Sequence, residues 1–442
     1  MTKSLAKAWF GTFAANGLIL LCNVATGVLS ARLLLPEGRG ALAVVLFWPQ
    51  IIATFGFLNV HTAVAQRASQ SKADIHQLTA TAIFLALLLS SIALLLTYPL
   101  LPVLLGSERV EWLPLARNYL LAFLPFNFVG VMLVAIDHGT FQIKRYNVLS
   151  LIPYVTYLIG LLILWTIGEV TVFNIIWINW LGTFIVSAIR LLSVKNILKL
   201  PSLQEAKGLI LTGCHLMMAT IPIALAAQMD RLIIVKLLDD TTIGLYTAAF
   251  TFANSGLNTI VTSFQTVIFP KLAGGENPGE QREILGKGLR YIMLLITLGS
   301  IALGAIAPWI IPFLFGMEFK PAVLPAIVLL VAYIPSALRQ FVVNALYGLN
   351  QPRPIAINAI IMSSIFFSTA WFLGKRFELM GVLVAFLIAN SIGLLHLSLY
   401  MKRQLGVVLQ DCWGLNWKTL SQVVRLCLSL FAKSRISSKS EL

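Results

Sequence analysis

Twelve stretches of the chain are apolar for long enough to cross a bilayer as helices, and this constrains the fold more than any other feature. They fall at about 8–35, 41–65, 78–105, 113–136, 148–168, 171–194, 209–238, 242–269, 288–315, 321–348, 354–374 and 379–400. Only 11% of the 442 residues are charged, whereas soluble domains carry about 25%. Little of the chain is left for a domain outside the membrane. In hydrocarbon every backbone N–H and C=O needs a partner within the protein, so runs of this length span as helices. The chain reads as an all-α polytopic membrane protein with about twelve transmembrane helices.

The net positive charge, 32 Lys and Arg against 17 Asp and Glu, could suggest nucleic acid. Its distribution favours a topological origin, and no nucleic-acid partner is expected. Counted loop by loop from the N-terminal side, 22 Lys and Arg fall on one face of the membrane, from Lys3, Lys7 and Arg67 through Lys199 and Arg290 to seven in the tail. The other face has 8: Arg32, Arg39, Arg109, Arg117, Lys236, Lys320, Lys375 and Arg376. This asymmetry predicts that both termini are cytoplasmic. A missed span would scramble the alternation. Met1 to Lys7 precedes an apolar run too long for a signal-peptide core, so no cleaved leader is expected.

The chain divides into an N-terminal six-helix half (1–194), a cytoplasmic linker (195–208), a C-terminal six-helix half (209–400) and a basic cytoplasmic tail (401–442). In the tail, Trp417, Leu420, Val424, Cys427, Leu428 and Phe431 recur at helical spacing. That pattern suits an amphipathic helix on the anionic leaflet, with a solvated tail as the alternative. A shift of 204 residues lays the second span on the eighth: Leu33-Leu34 on Leu237-Leu238, Gly40 on Gly244, Arg67 on Lys271. A shift of 208 to 210 pairs Leu124-Pro125 with Ile334-Pro335 and Arg145 with Arg353. Six spans is an even number, so both halves enter from the same side. The repeat is parallel, and a route through the protein should run between the halves.

Polar residues mark that route. Thr247, Thr251, Asn254, Asn258, Thr262 and Gln265 fall within about 80° of arc on the eighth span and extend about 27 Å along it. The repeat places Gln50 on Asn254, Thr54 on Asn258 and His61 on Gln265, a sparser copy of the stripe. Thr12, Asn16, Asn23, Thr26 and Ser30 share one face of the first span. Lipid cannot satisfy such stripes, so they face water or protein. Small polar residues also glue helices together. Three stripes at symmetric positions favour a hydrated route.

Deep ionisable residues are few: Asp230, Arg231, Arg339, His61 and His215. Arg231 and Arg339 are candidate contacts for an anionic headgroup, because guanidinium matches phosphate geometry. Asp230 is a candidate for an ion pair with another helix or for ion coupling. His61 suits helix packing or proton transfer. Arg32, far from the polar stripe of its helix, reads as a residue snorkelling to the interface. Prolines at 49, 125, 153, 222, 312 and 335 can bend their spans. There is no Gly-rich phosphate loop, no assembled acidic pair or Ser/His/Asp set, and the four cysteines form no metal or redox pattern. No catalytic residue, metal or cofactor is expected, and the chain does not read as an enzyme.

Four short motifs carry a family likeness: Leu33-Leu34-Leu35-Pro36-Glu37-Gly38-Arg39-Gly40, Asp230-Arg231-Leu232-Ile233-Ile234, Ile243-Gly244-Leu245-Tyr246-Thr247-Ala248-Ala249 and Phe269-Pro270. With them the chain resembles the bacterial polysaccharide transporter family of the multidrug/oligosaccharidyl-lipid/polysaccharide exporter superfamily. It departs at Leu35, where a Gly often precedes the Pro, and at Lys236 to Asp239, where the turn lacks its Gly. The resemblance implies a flippase of the bacterial inner membrane. Its substrate would be a polyprenyl-pyrophosphate-linked oligosaccharide for cell-surface polysaccharides such as O-antigen, lipopolysaccharide or exopolysaccharide. Membrane lipids, a polysaccharide polymerase and glycosyltransferases would be its partners. Two alternatives stand beside it. A multidrug cation antiporter of the same superfamily should carry more deep carboxylate than Asp230, with Asp137 near a cytoplasmic end. A membrane polysaccharide polymerase or ligase should carry a larger external loop.

Overall fold

The computed structural model describes residues 3–71, 73–194, 199–273, 278–349 and 351–406, and no strand occurs among them. The helices are α1 (Lys3–Gly56), α2 (Val60–Ala68), α3 (Ile75–Thr97), α4 (Leu101–Leu105), α5 (Leu113–Gly139), α6 (Ile143–Ile167), α7 (Val172–Val194), α8 (Leu203–Leu237), α9 (Asp240–Ala273), α10 (Pro278–Phe315), α11 (Val323–Gly348) and α12 (Pro352–Leu405). Two short 3-10 turns, Ser107–Trp112 and Met317–Ala322, precede α5 and α11. The amphipathic tail helix expected from the sequence falls, beyond residue 406, outside the described residues, as do residues 195–198 of the linker.

The twelve apolar stretches map onto these helices once two breaks are seen. The 54-residue α1 is interrupted at Leu35, and the 54-residue α12 at Phe377 and Glu378. Each therefore holds two spans, while α2 and α4 are short extensions of the second and third. Among the described residues, eight helices are individually long and apolar enough to cross a membrane. The helix α8 qualifies as a bent pair, turning by 59° between Leu203–Met218 and Thr220–Leu237. Pro222 sits just past that bend and cannot donate to the carbonyl one turn earlier.

The α1 break has a local cause. Pro36 pushes the residue before it into extended backbone, and Leu35 takes ψ 177° but with φ at 58°. Glycine enters that region freely, and a side chain pays about 1–3 kcal/mol to occupy it. Leu35 is exposed and recovers little by packing. Leu35→Gly is therefore expected to stabilise the protein by about 1 kcal/mol. A thermal melt in detergent checks this, and a lowered Tm would contradict it.

Contacts divide the chain into two compact units, residues 1–251 with 310–322, and residues 252–309 with 323 onward. In the first unit α5 is central. Its Tyr119, Leu120, Leu124, Phe128 and Met132 are fully buried. Polar groups on α7 are satisfied against α5: Trp180 Nε1 donates to the Ala122 carbonyl at 2.9 Å and Ser187 Oγ to that of Phe126 at 2.8 Å. Interhelical hydrogen bonds of this kind hold spans together where lipid supplies no hydrophobic drive. In α6 only 11% of the most apolar stretch is buried, so its surface is available to lipid. In the second unit α11 packs along α12. There Ser300 Oγ donates to the Leu330 carbonyl at 3.1 Å, and Asn358 Nδ2 to that of Gly393 at 2.7 Å.

Candidate functional site

The second span, within α1, and the start of α9 cross at a point where neither can carry a side chain. A Cβ on Gly40 would lie 1.7 Å from the Asp240 carbonyl oxygen. A Cβ on Gly244 would lie 1.9 Å from that of Pro36. These four residues form two pairs 204 positions apart, Pro36 with Asp240 and Gly40 with Gly244. Each member of one pair touches the opposite member of the other. Such reciprocity is the mark of a two-fold relation between the contacting surfaces. The offset within each pair is the 204-residue shift at which the two segments align in sequence.

Beside this crossing lies a cavity of about 200 Å³. Its walls repeat the same offset: Arg39 and Ile243, Leu42 and Tyr246, Ala43 and Thr247, Leu46 and Phe250, Phe47 and Thr251. The cavity thus sits on the local two-fold. Arg231, Ile234 and Val235 of α8 and Gln50 of α1 complete it. Two arginines line it and no carboxylate does. The Arg231 guanidinium lies 5.3 Å from the Phe250 ring centroid, a cation–π contact. Neither Arg39 nor Arg231 has an ion-pair partner among the described residues. Two unneutralised cations in a small cavity of a membrane protein make a site for an anion, and their planar forks suit phosphate oxygens.

The predicted polar residues have several fates. Gln50, Thr247 and Thr251 line the cavity. The hydroxyls of Thr247 and Thr251 donate to carbonyls of their own helix, Gly244 at 2.8 Å and Thr247 at 2.7 Å. They need no second helix to be satisfied. Thr54 is exposed and bonds back to the Gln50 carbonyl. Asn254 accepts from Tyr333 at 2.9 Å, and Asn258 is exposed. The side chains of Thr262 and Gln265 lie outside the described residues. In the first span Asn16 and Asn23 are exposed, whereas Thr26 and Ser30 are buried and bond back to their own helix. Thr12 accepts from Asn147 of α6 at 3.0 Å, a helix-joining contact. His61 on α2 stacks edge-on against Phe57 at 5.4 Å.

The deep charges separate. Asp230 is buried and, in place of an ion pair, accepts a hydrogen bond from Tyr246. Asp137 is buried between Arg190 at 3.2 Å and Arg145 at 3.6 Å. Arg339 is not in the cavity lining. It donates to Asn390 Oδ1 at 3.2 Å, with its aliphatic stem against Gly393.

Three arginines counted on the outer face of the membrane make specific contacts or line the cavity. Arg39 counted only as an outer-face charge, yet it lies eleven residues before Gln50, within about 20° of it on a helix. That spacing was the available signal. Arg109 is buried, pairs with Asp240 at 2.6 Å and donates to the Val235 and Leu238 carbonyls. It closes the last turn of α8 and neutralises the first turn of α9 at once. No local pattern announces it, because its partners are about 130 residues away. Arg32, expected at the membrane interface, is exposed and donates to the Phe313 and Leu314 carbonyls at the end of α10.

The fold is shared with solved structures of several membrane transporters. It matches a structure described as lipid II flippase MurJ in an inward closed conformation, with TM-score 0.76 and 16% identity over 95% of this chain and 92% of that one. It also matches an inward-facing multidrug resistance MATE family transporter of the MOP superfamily, with TM-score 0.67 and 14% identity over 88% and 94%. A MOP superfamily transporter from Pyrococcus furiosus matches at TM-score 0.58 and 16% identity over 90% and 94%. These likenesses establish the fold, a multi-pass helical membrane transporter fold. No curated protein matches by sequence. The model of the polysaccharide biosynthesis protein family matches residues 29–324, more than half of the sequence, and the chain belongs to that family.

Proposed function

We propose that the chain is a flippase. It moves a polyprenyl-pyrophosphate-linked oligosaccharide from the inner to the outer leaflet of a bacterial inner membrane by alternating access, for cell-surface polysaccharide synthesis. The observation that carries this reading is the cavity on the local two-fold, lined by Arg39 and Arg231 and by no carboxylate. A pyrophosphate diester brings about two negative charges, and two guanidinium forks match them. Membership of a polysaccharide biosynthesis family supports a glycan-bearing lipid as the cargo. The Lys and Arg bias supports cytoplasmic termini. The two six-helix halves rock about the repeat axis, while the polyprenyl tail stays in lipid and the headgroup passes through the polar stripe.

Buried Asp230 favours a second reading, the cation antiporter. Asp230 is engaged by Tyr246 and Asp137 by two arginines, so neither stands ready for a cationic drug. Cells lacking the protein decide between the two. The flippase reading expects lipid-linked glycan to accumulate on the cytoplasmic leaflet and surface polysaccharide to fall. Normal outer-leaflet delivery in a strain with no other flippase, together with lost resistance to organic cations, would establish the antiporter instead.

A further inference from the structure

The larger cleft of the first unit is at the opposite ends of the helices that line the arginine cavity. Its volume is about 580 Å³, and its walls come from α2, the start of α3 and the first turns of α8. From Arg231 back to Thr212 along α8 is about 28 Å, and from Gln50 to Ala63 along α1 and α2 about 20 Å, at 1.5 Å per residue. The charged side chains that line the cleft are each held in an ion pair. Arg67 pairs with Glu205 at 3.2 Å and also donates to Gln70. Asp74 pairs with Lys199 at 2.6 Å, a hydrogen bond that holds its carboxyl below the usual carboxylate range. What remains unengaged is neutral. The amides of Gln66, Gln77 and Gln204 have no partner among the described residues.

We propose that this cleft binds a neutral oligosaccharide, the glycan of the lipid-linked substrate, before the pyrophosphate reaches the arginines. The inference deepens the flippase reading and rests on it. Each glutamine offers two N–H donors and a carbonyl acceptor, the complement of a sugar's hydroxyls, which both donate and accept. A phosphate would need an unpaired cation in the wall, and the one cationic lining residue, Arg67, is held by Glu205. An acyl chain would leave the amides unsatisfied. The volume falls in the range of small-molecule sites.

The test uses the full-length protein in nanodiscs, with maltotetraose and chitotetraose as lipid-free probes and farnesyl pyrophosphate as the anion probe. Saturation-transfer NMR and titration should show wild type binding at least one tetrasaccharide. The variant Gln66→Leu/Gln77→Leu/Gln204→Leu should weaken that binding at least tenfold and bind farnesyl pyrophosphate as wild type does. Arg39→Gln/Arg231→Gln should show the reverse pattern. Unchanged farnesyl pyrophosphate affinity certifies that the glutamine variant is folded. Gln204→Leu alone, at an exposed site in the first turn of α8, should give a partial loss. If neither tetrasaccharide binds wild type, or the glutamine variant binds it equally, the cleft proposal fails. If tetrasaccharide binding behaves as expected but farnesyl pyrophosphate binds neither protein, the arginine cavity reading fails and the cleft stands.

Discussion

Converting Arg39 and Arg231 together to glutamine is expected to leave the protein inserted in the membrane and to stop it translocating a pyrophosphate-linked lipid. Both side chains line one cavity, neither is paired with a carboxylate, and glutamine retains much of their length and polarity. The substitution therefore removes charge with little change in packing. A hydrogen bond to a charged group contributes about 1.5–3 kcal/mol. Losing one arginine should slow transport by roughly 10- to 100-fold, and losing both by about 10²- to 10⁴-fold. Arg→Lys at either position should fall between, because lysine keeps the charge and loses the planar fork. The measurement is the rate at which labelled lipid-linked glycan appears on the outer leaflet, normalised to protein in the membrane. Wild-type rates in the double variant would remove the cavity from the transport route.

The second large effect is expected at the helix crossing. Gly40→Ala and Gly244→Ala each place a methyl group under 2 Å from a backbone carbonyl oxygen of the opposing segment. A flexible side chain could swing aside, but a carbonyl at a helix end moves only with its helix. Overpacking of this kind costs about 1–3 kcal/mol or more. The outward displacement also stretches the neighbouring bond from Arg109 to Asp240. Breaking a buried ion pair outright costs about 3–5 kcal/mol. Each variant should therefore lower the Tm in detergent and impair transport. The two should do so about equally, because the contact is reciprocal. A glycine variant that melts and transports as wild type would mean that the segments separate at no cost.

The polar residues of α9 recur at helical spacing, and periodicity is a local property that the sequence displays by itself. Of the residues expected to mark a route, Gln50, Thr247 and Thr251 line the cavity beside the helix crossing. Arg39 was within reach of the same logic, one helical face from Gln50. Arg109 was not. Its role is fixed by carbonyls and a carboxylate about 130 residues distant, and nothing near it in the chain encodes their identity. The same holds for Asp137, which two arginines, Arg145 and Arg190, enclose.

What the sequence determined alone was the set of spans and the points where one span gives way to the next. In a bilayer each segment must satisfy its own backbone, so length and apolarity decide which segments cross. Only the tertiary structure decided which polar groups remain free. Of the arginines considered, Arg32 and Arg109 were consumed by helix ends, Arg145 and Arg190 by Asp137, and Arg39 and Arg231 were left facing a cavity. That outcome depends on which helices approach closely, and close approach is set by pairwise packing, such as Gly40 against Asp240, rather than by the composition of either segment.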